Sequence, residues 1–138
     1  MGGDRRLVYG VLGAGIIAVA AACGSSSNSS TTPSGPSTGC TPSTSANTLV
    51  IQNNIICPST LTVTRGTQIT ILNSDSRTHE MDSDPHPEHT DCPELNQIGF
   101  LNPGQSRQSG NLNTARKCGM HDHGSPDTAS LKATITIQ

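Results

Sequence analysis

The sequence predicts an all-β fold, a two-sheet antiparallel β-sandwich of roughly ninety residues between Thr48 and Gln138. Short runs rich in Val, Ile and Thr alternate with turn residues throughout this stretch. No window of about ten residues keeps a helical period. The last run, Leu131-Lys132-Ala133-Thr134-Ile135-Thr136-Ile137, is apolar at odd and polar at even positions, as a half-buried strand requires.

In chain order, the first expected strand is Thr48 to Gln52, ended by the Asn53-Asn54 turn. Leu61 to Thr64 and Gln68 to Leu72 flank Arg65-Gly66, and Asn73-Ser74-Asp75 turns the chain into Thr78 to Met81. Gln97 to Leu101 and Ser106 to Gly110 flank Asn102-Pro103-Gly104, and Leu131 to Gln138 closes the set. There is no internal repeat. A core of Ile, Leu and Val with Phe100 as its single aromatic is thin at this size, so covalent or metal cross-links are expected to contribute.

Residues 1–22 form an expected signal segment: Arg5 and Arg6 precede the apolar run Leu7 to Ala22, which ends in small residues before Cys23. That run has about 16 residues, short of the roughly 20 needed to span a bilayer, and is interrupted by Gly10, Gly13 and Gly15. Val19-Ala20-Ala21-Ala22-Cys23-Gly24 resembles the bacterial lipobox, which implies a lipid on Cys23 and a membrane anchor at the cell envelope, facing outside the cytoplasm. Residues 23–47 then read as a Ser, Thr, Pro, Gly and Asn tether that cannot bury enough apolar surface to fold. A coil of that length has an end-to-end distance on the order of 25 to 30 Å.

Four cysteines remain: Cys40, Cys57, Cys92 and Cys118. Export places them where disulfides persist. Cys40 with Cys57 and Cys92 with Cys118 is the most local pairing, but three connectivities exist and one thiol can instead ligate a metal.

All 5 histidines of the chain fall in two short segments, each with a cysteine. His79, His86 and His89 lie between Thr78 and Pro93, and His121 and His123 lie in Cys118-Gly119-Met120-His121-Asp122-His123. Imidazole and thiolate suit copper, with zinc as the alternative, and ligands one or two residues apart can converge on one ion. Acidic residues around the first segment, Asp75 to Glu94, attract a cation, and Asp122 is placed to orient an imidazole.

The order Ile56-Cys57-Pro58, then Leu61-Thr62-Val63-Thr64-Arg65-Gly66 and Ile69-Thr70-Ile71-Leu72-Asn73, then His79, Asn102-Pro103-Gly104 and Cys118-Gly119-Met120-His121 resembles the cupredoxin family. The resemblance implies a Greek-key β-sandwich holding one copper ion at one end through His79, Cys118 and His121. The family's axial Met, expected shortly after the second His, is missing, which leaves His123 as the more natural extra ligand and Met81 as a weaker one. A Cys92 to Cys118 bridge would instead leave a His-rich site drawn from His79, His121, His123 and His86 or His89. Both versions stay open on sequence.

The expected function is therefore an envelope-anchored copper-binding protein, in electron transfer or copper holding and delivery, with a redox or copper-transfer protein as partner. A disulfide-stapled β-sandwich interaction module is the alternative. The His121-x-His123 pair also occurs in superoxide dismutase-type enzymes, but the longer ligand set is missing, and no catalytic triad or phosphate loop points to an enzyme. A net charge of -2 removes the electrostatic case for nucleic acid.

Overall fold

In the computed structural model, Asn53 and Asn54 both adopt positive φ (52° and 63°), the backbone that a two-residue hairpin needs and asparagine tolerates. They join β1 (Thr48–Gln52) to β2 (Ile55–Cys57), with Gln52 opposite Ile55. The structure describes residues 39–138; the apolar leader, Cys23 and the tether to residue 38 lie outside the described residues.

After β2 the chain crosses to a second sheet as β3 (Thr60–Val63) and returns as β4 (Thr70–Asn73). It crosses again for β5 (His79–Ser83) and β6 (Gly99–Leu101), contributes β7 (Ser106–Gln108) to the first sheet, and ends in the second with β8 (Arg116–Asp122) and β9 (Ala133–Ile137). The sheets have the orders β2-β1-β4-β7 and β3-β9-β8-β5-β6. Because the chain changes sheet between them, β1 and β4 run parallel, as do β3 and β9. The other pairs are antiparallel, so the sandwich expected to be antiparallel is built of two mixed sheets. Among the described residues the only helical elements are two single 3-10 turns.

Alternation fills the space between the sheets. Leu49 and Ile51 of β1, Ile71 of β4, Met81 of β5, Met120 of β8 and Ile135 of β9 are buried in one cluster. Ala133, Ile135 and Ile137 point in while Thr134 and Thr136 are only half-buried, as the odd-even pattern predicts. Val50 faces the other way and packs with Cys40 and Cys57 in a small outer cluster. Those two cysteines are disulfide-bonded, and Cys92 is bonded to Cys118 inside the main core.

Two features depart from expectation. Residues 39–47, expected as the end of the tether, are held to the sandwich: the Thr41 N–H donates to Gln52 Oε1 (2.9 Å), Asn53 Nδ2 to the Gly39 carbonyl (2.7 Å), and Cys40 is bridged. The sequence reading also lacked β2 and β8. Arg116-Lys117-Cys118-Gly119-Met120-His121-Asp122 has no β-branched residue and carries a glycine, which hides a strand from propensity. Its apolar core positions, Cys118 and Met120, nevertheless alternate, while His121 and Asp122 are buried as well.

Candidate metal centre

The alternation along β8 decides which histidines meet. Cys118 and Met120 point into the core, and Asp122 follows them inward to contact His79. Gly119 and His121 therefore face the outer side of the five-stranded sheet, with His123 two residues further on. On β5, Met81 lies in the core, while Asp82 pairs with His121 across the strands on the outer side.

The loop after β5 folds over this outer side. It is closed by the Asp91 N–H donating to the Asp84 carbonyl (2.8 Å) and the His89 N–H donating to the Pro85 carbonyl (2.7 Å). Asn96 fixes both arms, accepting the Ser83 N–H (2.8 Å) and donating to the His89 carbonyl (2.9 Å). Cys92, bonded to Cys118, anchors its far end directly beneath the strand that carries His121.

The result is a nest of four imidazoles. The His86 ring centre lies 5.6 Å from that of His89, 5.6 Å from His121 and 4.9 Å from His123; His89 lies 5.3 Å from His121 and 5.0 Å from His123. A metal–imidazole bond of about 2.0 to 2.1 Å puts ring centres roughly 5 Å apart around one ion, which is the spacing found. Ring nitrogens of His86, His89 and His123 all come within 4.8 Å of one another. His121 Nε2 is buried and has no hydrogen-bond partner. An orphaned buried ring nitrogen on a ring packed against two other imidazoles is costly without a ligand and fits a metal position.

The other nitrogen of His121 is held. Nδ1 donates to Asp84 Oδ1 at 2.6 Å, which fixes the tautomer that leaves Nε2 as the free ligand atom. Gly119 makes this contact sterically feasible: a Cβ on it would lie 1.9 Å from Asp84 Oδ2. Sequence reading assigned the orienting role to Asp122, which does contact an imidazole, but that of His79.

His79, Cys118 and Met81, expected as ligands, are corrected by this geometry. Cys118 is spent in its disulfide and offers no thiolate, and Met81 is fully buried on the inner face. His79 is also inward and has no free nitrogen: Nδ1 is hydrogen-bonded to Asp122 and Nε2 lies 3.0 Å from Asp75 Oδ2. Asp75 in turn accepts the N–H groups of Asn53 (2.6 Å) and Asn54 (2.9 Å), tying the first hairpin to this buried chain. Partial burial pushes the Asp75 carboxyl up, but the Asn54 N–H, His79 and the Asn53 N–H together outweigh it and hold the group below its ordinary 3.8. His121 and His123 are brought together with His86 and His89.

Beside the nest an open cleft of about 350 Å³ is lined by Asp84, Pro85, His86, His121, Pro126 and Lys132, among others.

Comparison of the whole domain with solved structures decides the fold. An oxidized plastocyanin from Dryopteris crassirhizoma superposes with a TM-score of 0.52 at 18% identity, covering 66% of this chain and 99% of that one. A purple cupredoxin from Nitrosopumilus maritimus gives 0.52 at 16% identity, covering 68% of this chain and 100% of that one. The domain has a cupredoxin-like fold. Amicyanin from Paracoccus versutus matches as well, with a TM-score of 0.53 at 11% identity over 70% of this chain and 84% of that one. No family model and no curated relative matches the sequence. Within this cupredoxin-like domain the imidazole nest lies on the outer face of the five-stranded sheet, whereas the His79 and Cys118 positions singled out by the family resemblance are closed by two carboxylates and a disulfide.

Proposed function

We propose that this chain is a copper-binding protein of the bacterial envelope that holds one copper ion through His86, His89, His121 and His123 and passes it to a protein partner. The observation that carries the reading is the buried, unpartnered Nε2 of His121 on a ring packed against those of His86 and His89, which with His123 bring their ring nitrogens within 4.8 Å of one another. Neutral imidazole donors suit copper, with zinc as the competing ion, and the fold neighbours include a Cu(I) amicyanin and a segment of a Cu-containing nitrite reductase. Bound there, copper would supply a Lewis-acidic, one-electron redox centre. Asp84 would hold the His121 ring, and the disulfide-anchored loop would hold His86 and His89.

Holding and delivery is favoured over fast electron transfer. Blue-copper electron-transfer sites use a Cys thiolate with two His, and the two cysteines that flank this nest, Cys92 and Cys118, are joined in a disulfide. His86 is exposed and the cleft beside it is open, which gives a partner access to the ion. A lipid on Cys23 would anchor the domain at the membrane surface; Cys23→Ser is expected to release the protein or leave it unprocessed, and unchanged membrane attachment would refute the anchor.

The test of the metal reading is a competition titration of the full chain with a copper chelator. One tightly bound copper is expected, weakened at least about tenfold by alanine at His86, His89, His121 or His123 and within about threefold of the parent for His79→Ala. A folded His79→Ala protein that loses copper as badly as His121→Ala would overturn it.

A further inference from the structure

Asp82 is an unusual carboxylate. It is 7% exposed, and among the described residues no hydrogen bond reaches its oxygens; its nearest polar neighbours are His123 Nδ1 at 3.5 Å and His89 Nδ1 at 3.7 Å from Oδ2. A carboxylate taken out of water without donors is costly unless a cation compensates it. Glu80, two residues earlier on β5, shares its face, and the His123 N–H donates to the Glu80 carbonyl (2.7 Å), which locks the two segments together. Ligand atoms of Glu80, Asp82 and His123 lie within 4.8 Å of one another.

We infer that Glu80, Asp82 and His123 form a second cation position beside the imidazole nest, for a divalent ion with mixed oxygen and nitrogen preference such as Zn²⁺. Two carboxylate oxygens and one imidazole nitrogen suit zinc, while the all-imidazole nest next to it suits copper. His123 stands between the two positions, its Nδ1 lying 3.5 Å from Asp82 Oδ2 and 3.4 Å from His89 Nε2, and its second ring nitrogen gives it a ligand atom for each. The two carboxylates also offset the repulsion between neighbouring cations, a role that Asp84, hydrogen-bonded to His121, does not fill on this side. The inference rests on the copper reading only for the order in which the positions fill.

The experiment uses the full chain, purified metal-free in detergent, given one equivalent of Cu²⁺ and then Zn²⁺; unbound metal is removed by gel filtration and both metals are counted. The parent is expected to retain about one zinc per chain beside its copper, and the Cu²⁺ electron paramagnetic resonance signal to shift when zinc is added. Glu80→Gln, which keeps side-chain size, is expected to retain copper, bind zinc at least tenfold more weakly and show no such shift. No second equivalent in the parent, or equal zinc retention in parent and Glu80→Gln, overturns the proposal. Should copper fail to load, the copper reading falls, and the zinc comparison between parent and Glu80→Gln still decides the second position.

Discussion

Replacing Gly119 by alanine reaches the proposed metal centre through a residue that offers no ligand. The new methyl carbon would lie 1.9 Å from Asp84 Oδ2, 2.6 Å from its Cγ and 3.1 Å from its Cβ. Because all three carboxyl-bearing atoms are too close, turning the carboxylate about its last bond does not relieve the clash. Asp84 has to retreat by roughly 1 Å or more, which stretches its 2.6 Å hydrogen bond to His121 Nδ1 beyond a useful length. An orienting carboxylate of this kind is worth about 10- to 100-fold in metal affinity. Gly119→Ala should therefore weaken copper binding by that factor, and Asp84→Ala by a similar one, with the double variant no worse than either single. The assay is the same chelator competition, run beside thermal unfolding to confirm that each variant is folded. Parent-like affinity in folded Gly119→Ala would refute the claim that Asp84 orients His121 for a metal.

Three further outcomes follow from the inner face. His79→Ala leaves Asp75 and Asp122 facing each other without the ring between them, so it should cost about 3 to 5 kcal/mol of stability in a denaturant titration while sparing copper. The contribution of Asp75, whose folded carboxyl titrates below 3.8, is fully present above that value and lost as pH falls through the folded one; the stability gap between parent and Asp75→Asn should therefore close in strong acid, and a gap constant from neutral pH to below pH 3 would contradict this. Removing the Cys92–Cys118 bridge, which closes a 26-residue separation, should cost about 3.5 kcal/mol by chain entropy and loosen the His86–His89 loop, seen as both a lower unfolding midpoint and weaker copper binding.

Much of the fold was legible because its signals are local. The odd-even pattern of β9, the Asn53-Asn54 turn and the β-branched runs of β1 and β4 each state their conformation in a few residues. What local pattern could not supply is the side of a strand on which a polar residue emerges once that strand itself is missed. With β8 unrecognised, Cys118 and His121 looked like neighbours in one loop; three residues apart on a strand, they face opposite ways. The clustering of five histidines pointed to both segments, but not to which of the rings come together. The Asp84 to Gly119 contact that holds the His86–His89 loop against the outer face, and the disulfide that anchors its far end in the core, are tertiary facts. One sequence signal was available: Cys118 and Met120 alternate with His121, which already places His121 away from the core.

The most direct test of the central claim is the visible and electron paramagnetic resonance spectrum of the full chain carrying one Cu(II). Copper held by the four imidazoles gives only weak ligand-field absorption and nitrogen hyperfine structure that changes in His121→Ala and persists in His79→Ala. An intense visible band that disappears in Cys118→Ser and persists in Cys92→Ser would contradict the account, because it would place the copper on a thiolate that the Cys92–Cys118 disulfide does not leave free.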